Sequence, residues 1–463
     1  MGPARRQGSA ASIPTGKAQR TPPHHRKSRT TFLLFPFTFL FVTVWLSSLV
    51  NAAPQAASSS SSSRSSSQNG TASPTGSSGG SNNSTNTTVV PLGTRAHHGL
   101  GQDWMQVNSI YIGFLPDWSR ENPIDINREL GKAMAIIGDY IDIYENDLSL
   151  SQAQYHASAI LRLQGLAVYA PAIRPRFTLD KWTEDMSTAV ANMAAGFNRQ
   201  GMPVWIRFAW EMNGGWYEYG NDPDNFKTAW ISLTNKIRAT TNQTYTLWSP
   251  NVRYGETESN AGYQPYYPGE QYVDIAGLSY YSPAAEGEVA ASGAFSRGLS
   301  SFYNLYGDRH PIILSETAAP YTYQIPASLE STYCSDCGVR GPLPDPASLT
   351  PMPTNAADEA AMKIGWLNQI VSDQSAGRYP NLTAACFFNY FKYGNEHGGN
   401  AATLADFRNV GGHGATEDQF RQIVGNVSAY QGGYSGAGVI TRTLDWHVAV
   451  LALAVASLPL VAL

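Results

Sequence analysis

The chain has 463 residues, of which 14% are charged, 42% hydrophobic and 11% aromatic. So low a charge content excludes a disordered acidic or basic effector, and the apolar share is ample for a sizeable core. The first 52 residues hold seven Lys/Arg and no Asp/Glu, so without them the formal charge moves from −4 to −11, which argues against a nucleic-acid partner.

Residues 1–30 are basic and Pro-rich, and residues 31–50 form an apolar run without a charge that leads into Val50-Asn51-Ala52. Residues 1–52 therefore read as a secretion signal with a long basic n-region. The run also has the ~20 residues that span a bilayer, so an uncleaved signal-anchor is the alternative. Either reading places the remainder outside the cytosol. Residues 53–93 are dominated by Ser, Asn, Thr and Gly and have almost nothing to bury, as in a disordered, glycosylated stalk. N-x-S/T sequons start at Asn69, Asn82, Asn83 and Asn86, and again at Asn242, Asn381 and Asn426, which fits a secretory route.

Residues 94–434 alternate β-rich runs with helical patterns. Eight strands are predicted, at Tyr111–Trp118, Tyr140–Asn146, Leu166–Arg174, Val204–Glu211, Tyr245–Pro250, Val273–Tyr281, Pro311–Glu316 and Ala384–Phe391. Most are continuous apolar runs, as a parallel strand buried on both faces requires. Between them the period lengthens. Phe226, Trp230, Leu233 and Ile237 share one helix face, as do Met186, Val190, Met193 and Phe197, and Met362, Trp366 and Ile370. Asp180 and Asn355 are placed to cap two of these helices. Eight such units predict an α/β chain folded as a (β/α)₈ TIM barrel. An open doubly wound sheet is the alternative, weakened by the absence of G-x-G-x-x-G after the first strand.

The stretch Thr317–Thr354 after the seventh strand is long for a compact fold and is expected to wall one side of a cleft. It holds Cys334 and Cys337, for which a local bridge suits an extracellular protein better than zinc, and Cys386 is expected as a buried thiol. Residues 435–463 begin with the small residues Ser435, Gly436 and Ala437 and end in the apolar run 448–463. This pattern reads as a GPI-anchor attachment signal, removed on processing; a buried C-terminal helix is the alternative.

Catalytic side chains of a parallel barrel sit at the C-terminal ends of its strands. Two carboxylates stand there after apolar runs, Glu211 in RFAWEMNGGWYEYG and Glu316 in PIILSETAAP. Burying either unpaired is costly, so both are expected to face a polar cleft. Two carboxyl groups about 5 Å apart are the machinery of retaining glycoside cleavage, one donating a proton and the other attacking the anomeric carbon. Asp117 and Glu145, at the ends of strands one and two, are expected to shape the pocket or bind sugar hydroxyls. Arg207, at even spacing from Glu211, is expected on the same strand face, where it serves as a carboxylate partner or a structural ion pair. Asn213 and Asn251 suit sugar hydroxyls or loop caps, and Trp118, Trp210, Trp216 and Tyr217 offer flat faces for a sugar ring, Trp216 foremost.

The segments 207–217 (RFAWEMNGGWY), 266–281 (YYPGEQYVDIAGLSYY) and 313–317 (ILSET) resemble glycoside hydrolase family 26, the β-mannanases and their relatives in the retaining (β/α)₈ clan. The resemblance implies Glu211 as general acid/base, Glu316 as nucleophile, Tyr281 or else Tyr280 as the residue holding the nucleophile, and Trp216 in the substrate cleft. One position departs, because family members usually carry His before the acid/base and this chain has Trp210.

The expected function is thus a retaining, endo-acting hydrolase of a β-linked polysaccharide, with β-mannan first and β-glucan or xylan behind it. A wall-remodelling transglycosylase is one alternative, and a non-catalytic carbohydrate-binding wall protein another. No cofactor or metal is called for. The expected partner is the polysaccharide, met by a monomer at the cell surface, with no nucleic acid and with membrane contact only through a lipid anchor.

Overall fold

The computed structural model describes residues 98–425, apart from 146, 254–261, 284–292, 327–343 and 396–401. The signal, stalk and anchor segments, Cys334 and Cys337, and the sequons at Asn69, Asn82, Asn83, Asn86 and Asn426 lie outside the described residues. Of the two sequons within them, Asn242 is exposed, whereas Asn381 donates its side-chain amide to the Gly307 carbonyl at 2.6 Å.

Eight parallel strands form the core: β1 (Ile110–Pro116), β2 (Ile136–Ile143), β3 (Val168–Pro175), β4 (Val204–Phe208), β5 (Thr244–Trp248), β6 (Ile275–Ser279), β7 (Ile312–Thr317) and β8 (Leu382–Asn389). Each pairs with its sequence neighbours, and β1 pairs with both β8 and β2, so the sheet closes and leaves no barrel edge. The β1–β2 seam is short, with Gly113 opposite Ile136 and Phe114 opposite Ile137. A Cβ on Gly113 would lie 2.6 Å from Ile136 Cβ, so only glycine permits this approach.

The apolar runs are continuous because each strand is covered on both faces. Leu115, Ile136, Val168, Trp205, Leu247 and Ile313 pack with one another inside the barrel. Outward residues such as Ile112, Phe114, Ile206 and Phe208 pack against the surrounding helices. Those helices are α1 (Pro123–Leu130), α2 (Ser151–Leu161), α3 (Glu184–Arg199), α4 (Pro223–Thr240), α5 (Ala294–Tyr306), α6 (Glu359–Val371), α7 (Asp373–Arg378) and α8 (Gly414–Val424). The three helix faces expected from the sequence are buried. After β5 the described residues contain two short 3₁₀ turns in place of an α-helix, Gln264–Tyr266 and Glu270–Tyr272.

Two expected caps are corrected. The Thr183 side chain caps α3 by accepting from Met186 N, and Asp358 caps α6 by accepting from Ala361 N. Asp180 belongs to the preceding 3₁₀ turn, and the Asn355 amide braces Thr322. The sequence also gave no sign of a three-stranded antiparallel sheet of Tyr321–Tyr323, Ala402–Asp406 and Phe391–Asn395. It is fastened to α6 through the buried Lys363, whose Nζ donates to Glu359 at 2.6 Å, to Asp406 at 3.3 Å and to the Arg408 carbonyl at 2.7 Å. Arg408 pairs in turn with Asp406 at 2.6 Å, and these two cations hold the Asp406 carboxyl below its ordinary range despite its burial. The next residue, Phe407, packs its ring on Tyr281 and Phe388.

Candidate active site

Strand β4 ends at Phe208, three residues before the predicted end, because Ala209 (φ 43°) and Glu211 (φ 57°) adopt left-handed backbone. Non-glycine residues hold that conformation only when neighbours fix it. Here Ala209 N donates to the Ile173 carbonyl of β3 at 2.9 Å, and Glu211 N donates to the Ser249 carbonyl beyond β5 at 2.7 Å. Glu211 is therefore delivered by a turn tied to both adjacent strands, and the even strand alternation expected to align it with Arg207 does not apply. Its side chain is 8% exposed.

The loop that follows brings Trp216 back over the acid. Its Nε1 donates to Glu211 Oε2 at 2.9 Å while the ring remains 55% exposed. Gly214 lies directly beneath, where an added Cβ would come within 2.1 Å of the ring. A polar pocket of about 430 Å³ opens beside this loop, lined by Asn213, Gly215, Trp216, Asn221, Asn251 and Arg253. Asn213 itself is buried and spent on the loop, because its amide group donates to the Asn251 carbonyl at 2.9 Å and accepts from Asn251 N at 2.8 Å. These bonds brace the loop, the role the sequence offered beside sugar binding.

Glu316 lies within β7 and is 7% exposed. Its Oε2 accepts from Arg207 Nη1 at 2.6 Å and from the Tyr140 hydroxyl at 2.9 Å, and its Oε1 accepts from the Tyr281 hydroxyl. Three donors converge on it, which is the setting an anionic carboxylate requires. Tyr281 is therefore the tyrosine that holds Glu316. Tyr280 is fully buried and donates instead to the Ala294 carbonyl. Burial, and next the charge on Glu316, push the Tyr140 and Tyr281 hydroxyls well above their ordinary pKa, so both remain donors.

Arg207 ties the two halves together. It is fully buried and donates through Nε to Ser249 Oγ at 3.0 Å and through Nη2 to Ser279 Oγ at 2.6 Å. The Ser279 hydroxyl also favours the ionised form of Glu211, so the serine that Arg207 holds acts on the second carboxyl as well. Burial opposes the charge on Arg207, but Glu316 and its neighbours outweigh it and raise the affinity for the proton. Glu211 shows the opposite balance to an ordinary surface acid. Burial and then repulsion from Glu316 raise its pKa from 4.5 to about 7, against the lowering effects of Arg207, Ser279 and Trp216.

The remaining expected residues divide. Tyr217 is half-buried between Trp210 and Tyr219, and its hydroxyl is raised by burial and by both carboxylates, so it belongs to the site. Trp210 is also at the site but only 2% exposed, packed between Tyr140 and Tyr217 with the Arg207 guanidinium 5.4 Å from its ring, so it offers no open face to a sugar. Trp118 is not brought to the carboxylates: it packs in the strand–helix layer, stacked on His156 of α2 at 4.3 Å. Glu145 lies beyond β2, exposed and paired with Lys181 at 2.6 Å. Asp117 is buried and turned onto its own loop, bonding Ser119 and Arg120. Tyr140 and Ser279 were missed. For Ser279 the available signal was its place at the C-terminal end of β6, but Tyr140 lies in the middle of β2, where the predicted strand began, and a Tyr or Ser inside an apolar run reads equally well as core.

The model of glycosyl hydrolase family 26 matches residues 180–300, a span that includes Glu211, Trp216 and Tyr281. The resemblance read from the sequence is borne out over that span. No curated protein matches the chain. Among solved structures it is similar to the catalytic domain of a Bacillus endo-β-1,4-mannanase, at 16% identity over 68% of this chain and 85% of that one, with a TM-score of 0.43. It is also similar to a Cellulomonas fimi endo-β-1,4-mannanase double mutant, at 13% identity over 69% and 71% with a TM-score of 0.44. A Bacteroides ovatus family 26 β-mannanase gives 16% identity over 70% and 86% with a TM-score of 0.38.

Proposed function

We propose that the chain is a retaining, endo-acting glycoside hydrolase of a β-linked polysaccharide, with Glu211 as general acid/base and Glu316 as nucleophile. The observation that carries this reading is the division between two carboxyls set beside one buried arginine. Glu211 holds its proton to about pH 7, whereas Glu316 accepts from three donors. An acid that keeps its proton beside a carboxylate held by donors is the arrangement of an acid/base and a nucleophile. Protonation of the leaving oxygen by Glu211 contributes on the order of 10²–10⁴-fold. Glu316 captures the anomeric carbon, and Glu211, now ionised, draws a proton from the water that releases the sugar.

The substrate we favour is β-mannan, because the sequence resemblance is to β-mannanases, with β-glucan or xylan as alternatives. Trp216, open beside the acid, suits the sugar ring on the leaving-group side. We further propose secretion and lipid anchoring at the cell surface, on the strength of the segments 1–52 and 435–463. Surface anchoring also suits chain transfer to a sugar acceptor in place of hydrolysis.

Incubation with mechanism-based epoxides of several sugar configurations, followed by peptide mapping, tests the reading. The expected result is labelling of Glu316 with a preference for the β-manno probe. Labelling elsewhere, or of the Glu316→Gln variant, refutes it. The first-formed anomer, read by NMR, distinguishes retention from inversion, and products formed with an added acceptor oligosaccharide distinguish hydrolysis from transfer.

A further inference from the structure

We infer that Tyr140 is a positioning residue for the nucleophile, and that by filling one oxygen of Glu316 it leaves the other, the oxygen facing Tyr281, as the atom that attacks. This rests on the hydrolase reading above and deepens it. A carboxylate oxygen has two lone pairs available in its plane. Oε2 receives Arg207 Nη1 at 2.6 Å and the Tyr140 hydroxyl at 2.9 Å, which uses both, whereas among the described residues Oε1 receives the Tyr281 hydroxyl alone. One lone pair of Oε1 thus remains for carbon. In the first step that pair forms the bond to the anomeric carbon, the glycosidic C–O bond breaks, and its electrons go to the leaving oxygen, which takes the Glu211 proton. The negative charge left on Glu316 is consumed in the ester, whose carbonyl oxygen is Oε2, still held by Arg207 and Tyr140.

The placement of Tyr140 is determined from three sides. Its backbone N donates to Asp139 Oδ1 at 2.8 Å, and that carboxylate is itself fixed by His156 at 3.0 Å and by the Tyr169 hydroxyl at 3.1 Å. Its ring rests against Trp210 at 5.4 Å and against Phe388 and Tyr390, each at 6.4 Å. Trp210, the residue immediately before the acid, therefore acts as a buttress for the phenol on the nucleophile. This accounts for a buried indole at that position, where no sugar can reach its faces.

Tyr140→Phe keeps the ring and its packing and removes only the hydroxyl. In the full chain it should lower kcat about tenfold or more, the worth of one hydrogen bond to a charged group, with KM changed less than about twofold. Trapping of Glu316 by an activated 2-fluoro glycosyl fluoride should slow in parallel, while the thermal midpoint stays near that of the wild type. A structure of the trapped enzyme should show the ester through the oxygen that faced Tyr281. An ester through the oxygen facing Arg207, or a Tyr140→Phe kcat within twofold of wild type, overturns the inference and leaves the hydrolase reading standing. Wild-type protein that neither turns over nor is trapped overturns both.

Discussion

The alkaline side of the pH–rate profile should belong to Glu211. With its pKa raised from 4.5 to about 7 by burial and by repulsion from Glu316, Glu211 is roughly 90% protonated at pH 6, against about 3% for an ordinary Glu. The environment therefore enlarges the acid population about thirtyfold at that pH. Wild-type kcat on polymer should be level to about pH 6 and fall about tenfold per unit well above 7. Replacing Glu211 with Gln keeps the shape and removes the proton. On polymer, whose leaving group is an alkoxide, the variant should lose on the order of 10²–10⁴-fold. On a dinitrophenyl glycoside, whose leaving group needs no proton, it should retain a rapid burst of the phenol followed by slow turnover. The assay is kcat from pH 4 to 9 on both substrates, with stopped-flow detection of the burst. An alkaline limb near 7 that survives in Glu211→Gln would show that another group titrates, and a wild-type limb near 5 would refute the claim that burial and Glu316 hold the proton.

The same residue links pH to stability. Because the folded state binds this proton more tightly than the unfolded chain, its contribution is complete below about pH 4.5 and is lost as pH rises through about 7. Urea unfolding should show a decline of about 3 kcal/mol across that window that Glu211→Gln lacks. Trp216→Phe deletes a donor to the ionised form of Glu211, so its alkaline limb should move to higher pH. Gly214→Ala should produce the same shift, since its methyl cannot coexist with the indole as placed, and tryptophan fluorescence will report the displaced ring. Lys363→Met removes a buried cation from Glu359 and Asp406 and should cost about 3–5 kcal/mol in denaturant unfolding. A loss under 1 kcal/mol would mean that the network is dispensable.

Most of the barrel was legible in the sequence because burial on both faces writes an unbroken apolar run for each strand. The boundaries were not, and the reasons are local. The first residues of β2, Ile136–Asp139, follow the helix-forming segment Lys132–Ala135 without a break in hydrophobicity. The end of β4 was hidden because left-handed backbone at Ala209 and Glu211 comes from hydrogen bonds to β3 and β5, long-range partners that no local pattern encodes. The paired carboxyls were readable from their cost: an acid after four or five apolar residues needs a reason. Trp216 was readable from its glycine-flanked loop. Trp118 and Trp210 were not separable from it by type, because whether an indole is platform or filler depends on which layer it enters. The small sheet over α6 escaped notice because its strands come from the segments after β7 and after β8, and Tyr321–Tyr323 pairs with Ala402–Asp406 across a large gap in sequence.

The opposed charges of Glu316 and Arg207 around Glu211 carry a temporal consequence within the proposed cycle. When Glu316 becomes an ester its negative charge vanishes, and with it the repulsion that helped keep Glu211 protonated, while the guanidinium continues to pull the other way. The proton affinity of Glu211 therefore drops at the moment it has given its proton away, and rises again once the sugar departs. The two half-reactions need opposite behaviour from one side chain. The bookkeeping of charge in this pocket supplies it with no moving part, resetting itself on every turnover.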